Sequence, residues 1–133
     1  MLKGKSSWEE ALDLADLVPS TARNPSNGSL VRPDEAATRL HLRARRVHQL
    51  TPADLAPDLR RGPVALFGNY RLTGGTFDHV MVLSLMHGDS ALPSTVRVGV
   101  DDPWANGSRW EGNWSDFYGR DKTLRRPDWV VSR

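Results

Sequence analysis

The sequence predicts an α+β fold in which helices come first and an antiparallel sheet follows. Three observations point there. Residues 1–61 hold three segments marked by helix-start or helix-stop residues. From Gly62 onward the chain turns to short apolar or alternating runs parted by glycine-rich turns. At 133 residues the chain fits one domain. A helical part, 1–61, and a sheet part, 62–133, therefore share one core.

The first helix is expected over residues 7–18. Ser6 and Ser7 are good N-caps, with Glu9 and Glu10 three residues on from each, as in a capping box. Trp8, Ala11, Leu12, Ala15 and Val18 recur at helical spacing, and Pro19 stops the run. Residues 19–29, rich in Pro, Ser, Asn and Gly, read as a loop. Pro33 opens a second helix through DEAATRLHL. A third is expected at 52–61, capped by Thr51 and started by Pro52, with Pro57 inside it. Residues 64–70, VALFGNY, then read as a buried strand, with RLTGGT as the turn after it. Residues 77–86 form the next strand, HGDSALPS its turn, and the alternating 95–101 a third strand. DDPWANGS is a loop, and shorter strands are expected near 108–111 and 128–132.

Composition excludes several classes. The formal net charge of +2 gives no argument for nucleic-acid or membrane binding. No apolar run approaches the ~20 residues of a membrane-spanning helix. The start, MLKGKSSWEE, lacks the apolar stretch of a signal peptide as it stands. The absence of cysteine removes disulfides, thiolate zinc sites and a cysteine nucleophile. His41, His48, His79 and His87 lack paired metal-ligand spacing, so neither metal nor cofactor is expected. Arg39, Arg43, Arg45 and Arg46 read as a solvated helix face, since no aromatic residue interleaves with them. Neither nucleic acid nor a membrane span is therefore expected.

The residues that carry chemistry lie in the sheet part. His79 comes early in one strand, and Asp101 and Asp102 end the next. If those strands are neighbours, His79 meets one of the two aspartates at one edge of the sheet. A carboxylate on one imidazole nitrogen fixes the tautomer and leaves the other nitrogen as a base. A histidine beside an aspartate is more often a plain polar pair, so spacing alone does not decide. Trp104, Trp110, Trp114, Phe117 and Tyr118 form an aromatic run, most of it core, with one or two residues able to line a groove. Ser84 and Ser108 lack a G-x-S-x-G elbow.

The order of these segments resembles the papain-like cysteine peptidases, in their bacterial peptidase and toxin-effector branch. The residues that carry the resemblance are Gly62-Pro63 before an apolar strand, Gly74-Gly75, His79 with its apolar strand, and Asp101-Asp102-Pro103-Trp104. It covers Gly62 to Phe117 well and the rest by order of elements. It implies a papain-like fold with His79 as general base and Asp102 as its orienting partner. Asp101 stands where the family often has Asn. The family's cysteine precedes a Trp and opens the first long helix; here Ser7-Trp8 does so, which places Ser7 at the nucleophile position.

A helix N-terminus lowers a cysteine's pKa and favours its thiolate. A serine gains little, because its hydroxyl starts far too basic. Ser7 also reads as a simple N-cap. Glu9, Glu10, Asp13 and Asp16 near that helix start oppose a thiolate, and Met1 to Ser6 contains no Gln to serve as oxyanion donor. Three explanations stay open: a deliberate replacement of cysteine, a degenerate non-catalytic relative, or a nucleophile upstream of this chain.

The resemblance thus implies a cysteine protease or hydrolase domain of a bacterial toxin or effector, with a protein or peptide as its substrate, lacking its cysteine and inactive as written. Trp8, Trp104 and Trp110 are the candidate groove residues. A deamidase or acyltransferase on the same fold is one alternative, since all pass through a thioester. A non-catalytic module that binds a peptide or partner is another. A toxin would be secreted or delivered, with a cognate immunity protein as partner; a cytoplasmic location is equally compatible.

Overall fold

The computed structural model describes residues 33–102 and 108–133. In chain order these form α1 (Pro33–Leu40), β1 (Arg43–Arg46), α2 (Pro52–Arg61), β2 (Val64–Leu72), β3 (Gly75–His87), β4 (Arg97–Asp102), β5 (Ser108–Asn113), the short α3 (Trp114–Phe117) and β6 (Leu124–Ser132). The strands make one six-stranded antiparallel sheet in the order β1-β6-β2-β3-β4-β5. The α+β class follows from this arrangement. The expected helix over 7–18 and loop over 19–29 lie outside the described residues.

Local chemistry sets the helix ends. The Thr51 side chain accepts from the Asp54 amide at 3.1 Å and caps α2, with Pro52 at its first position. At the end of α1, His41 adopts a left-handed φ of 57°, and the Leu42 amide reaches back to the Ala37 carbonyl at 2.9 Å. That is a Schellman-type stop. It gives His41 a structural task.

The sheet buries both faces. On one, Leu55 of α2 and Trp114 and Phe117 of α3 pack with Leu66, Tyr70, Met81, Leu83, Val98 and Val100. On the other, Ala37 of α1 meets Ala65, Phe67, Val80, Val82 and Val131. Burying such side chains is worth about 1.5–3 kcal/mol each, which fixes the register because a one-residue slip exposes them all.

One register shift matters for the site. β3 and β4 pair His87 with Arg97, Met86 with Val98 and Leu85 with Gly99, then Leu83 with Val100 and Val82 with Asp101. Ser84 is the extra residue of a β-bulge. It lets Met81 and Leu83 before it and Met86 after it serve the same core, although they differ in parity.

Three expectations need correction. The division at residue 61 is not clean, because β1 lies in the first part and pairs with β6. Arg43, Arg45 and Arg46 therefore sit on an edge strand and not on a helix. The segment RARR has no apolar alternation to announce a strand; backbone pairing with β6 makes it one. Charged side chains on an edge also discourage pairing with other chains. Arg45 is further tied down, donating to Asp58 at 2.8 Å; Arg61 donates to the same carboxylate at 2.6 Å, and the Ser132 hydroxyl donates to it at 3.3 Å. The last strand also begins earlier than expected, at Leu124, and accommodates Pro127 where its register with β2 shifts.

Candidate functional site

β2, β3 and β4 together build the site. His79 lies on β3 opposite Gly68 of β2 and is 3% exposed. Gly68 is required there: a Cβ would strike the Arg126 carbonyl and press on Pro127 of β6. Two residues further along β2, the Tyr70 ring meets the imidazole edge-on, with centroids 5.6 Å apart at 84°. The Tyr70 hydroxyl donates to the Leu66 carbonyl at 2.6 Å. Burial pushes the Tyr70 phenol far above its ordinary value; a backbone hydrogen bond at Met81 works the other way, and the Asp102 charge adds to the rise.

Asp102 closes the pair. Its Oδ1 lies 2.9 Å from His79 Nε2, with the two side chains 15% and 2% exposed. A carboxylate at Nε2 holds a proton on that nitrogen and so fixes the tautomer. The second ring nitrogen, not bonded to Asp102, is Nδ1.

Asp101 faces the other way. Arg109 Nη1 donates to it at 2.9 Å, and the Ser84 hydroxyl donates at 3.1 Å. Arg109 also donates to Ser84 Oγ at 3.0 Å and, through Nε, to Glu111 at 3.0 Å. Glu111 first, and then Asp101, hold the guanidinium protonated above its already high ordinary range, against some opposing burial. Spacing left open which aspartate meets His79, and the strand register brings Asp102 to it.

Trp110 lies on β5 opposite Val100 and is 36% exposed, its ring 5.8 Å from Phe117. It lines a recess of about 410 Å³ with Met81, Val100, Asp102 and Ser108. That volume suits one large side chain. Ser7, Trp8 and Trp104 lie outside the described residues. Among the described residues no three His, Cys, Asp or Glu side chains are grouped to hold a metal ion. No described helix is long and apolar enough to cross a membrane.

The places of Tyr70, Ser84 and Arg109 in the site are not visible in the sequence. Alternation along VALFGNY puts Tyr70 and Gly68 on one face, but only the pairing with β3 brings His79 there. Nothing in the sequence linked Arg109 to Asp101.

Comparison of the chain with protein-family models, curated proteins and solved structures returns no match.

Proposed function

We propose that this chain is a papain-like cysteine-peptidase domain of the bacterial toxin or effector type, with serine at the nucleophile position. The observation that carries the reading is the His79–Asp102 pair, in which a buried imidazole is joined through Nε2 to a partly buried carboxylate at 2.9 Å across neighbouring strands. The recess beside Asp102, walled by Trp110, offers room for a substrate side chain.

In the active form, a cysteine at position 7 gives its proton to His79 Nδ1. The thiolate attacks a carbonyl carbon, and the tetrahedral adduct collapses to a thioester as the leaving amine takes the proton back from Nδ1. Water then attacks the thioester, its proton passing through the same nitrogen, and the acid leaves. Asp102 keeps the imidazole in its tautomer and stabilises the imidazolium. Peptide hydrolysis, deamidation and acyl transfer share the thioester and differ in leaving group and acceptor. As written, with Ser7, the chain lacks a nucleophile that ionises near neutrality, and no turnover is expected.

A second reading, a non-catalytic module that binds a peptide or partner protein, rests on the absent cysteine. One experiment separates the two. The Ser7→Cys variant is alkylated with iodoacetamide from pH 4 to 9, with and without His79→Ala. Rapid alkylation near pH 6 that disappears without His79 supports the enzyme. A thiol that titrates near the ordinary ~8.5 and ignores His79 overturns it and favours the module.

A further inference from the structure

We propose that Arg109 is a positioning residue for the His79–Asp102 pair, acting through Asp101. The inference rests on the functional reading above for its meaning, but not for its test. Asp101 and Asp102 are consecutive on one strand, so anchoring one carboxylate constrains the direction of the other.

The anchor is specific. Asp101 is 3% exposed, and its carboxylate takes Arg109 on one oxygen and Ser84 on the other. Among the described residues, the ionisable groups packed against it come from β5: Arg109, with Glu111 beyond it. The His79 ring meets Tyr70 of β2 and Asp102 of β4, and Arg46, His48, Asp78, Arg126 and Asp128 line a recess with it. Arg109 is thus the cation that makes an ionised Asp101 tolerable at that depth. Gly99 leaves it room, since a Cβ at that position would press on the guanidinium.

Without Arg109, the Asp101 carboxylate keeps only the Ser84 hydroxyl. A buried, unpaired carboxylate is expensive, so the end of β4 turns to bring it to water. Asp102 moves with it and leaves Nε2. The damage therefore comes from the stranded charge, and removing that charge repairs it.

The test reads the ¹⁵N shifts of the His79 ring in the chain as it stands, which report the tautomer without any chemistry at Ser7. Wild type and Asp101→Asn show a single Nε2–H tautomer. Arg109→Gln shows a mixed tautomer or loses folded signals. The double variant Arg109→Gln with Asp101→Asn regains the Nε2–H pattern, because the asparagine is neutral and keeps Ser84. If Arg109→Gln leaves the tautomer intact, or if the double variant stays as damaged as Arg109→Gln, the inference is overturned and Arg109 acts only by packing. Failure of the alkylation experiment would count against the enzyme and leave this tautomer result standing.

Discussion

The Ser84 hydroxyl donates to Asp101 Oδ2 at 3.1 Å from the one position between Val82 and His87 of β3 that has no partner of its own on β4. Ser84 also accepts from Arg109 at 3.0 Å. A bulge residue that re-aims neighbouring side chains is a recurrent device near functional sites. Ser84→Ala removes both bonds and is expected to cost about 1–2 kcal/mol in urea unfolding. The change should keep the Nε2–H tautomer of His79, since the Arg109–Asp101 ion pair remains.

In the Ser7→Cys background, Asp102→Asn tests the orienting role. The asparagine still offers an oxygen to Nε2 but no charge. Alkylation near pH 6 should slow about tenfold, the equivalent of roughly 1.4 kcal/mol for losing one charge-assisted hydrogen bond. An unchanged rate would show that Asp102 contributes nothing to the imidazolium.

Tyr70 gives two measurements. Tyr70→Phe loses the bond to the Leu66 carbonyl and should cost about 1–1.5 kcal/mol, while Tyr70→Ala, which also opens a cavity beside His79, should cost about 3–5 kcal/mol. The phenol's folded-state pKa is raised above the unfolded value near 10. Its contribution is therefore fully present below pH 10 and is lost as pH rises above it. Stability should fall by up to about 1.4 kcal/mol per pH unit above 10, a slope from this group that Tyr70→Phe removes. Denaturation midpoints at pH 9, 10 and 11 decide it.

Gly68→Ala places a methyl against the Arg126 carbonyl, where the backbone of β6 has little freedom to yield. A loss of about 1–3 kcal/mol is expected from overpacking, seen as a lower melting temperature. Amide exchange should rise first in the β2–β6 pairing beside His79.

Asp58 binds α2, β1 and the end of β6 through Arg45, Arg61 and Ser132. Both arginines are more than a third exposed and can return to water. Asp58→Asn should therefore cost only about 1–2 kcal/mol, less than a fully buried pair. Hydrogen exchange should show β1 loosening before the central strands.

The central elements were legible because their signals are local. Apolar runs and alternation mark β2, β3 and β4, and Thr51-Pro52 marks α2. β1 was not, since four residues of RARR carry no hydrophobic pattern and owe their conformation to β6. The neighbourhood of His79 and an aspartate could be foreseen from strand order alone. The choice between Asp101 and Asp102 could not be read from pairing at the turn. Continued straight from His87 and Arg97, the ladder would set Asp101 opposite Leu83, on the His79 face. The single extra residue at Ser84 shifts the ladder by one, sets Asp101 opposite Val82, and turns Asp102 to His79. The sequence by itself determined the α+β class, the order of the strands along the chain and the residue types available for chemistry. Tertiary structure decided which aspartate meets the histidine. Side chains on a strand alternate with a period of two, so one bulge, fixed by long-range packing of Met81, Leu83 and Met86 into the same core, reverses the answer.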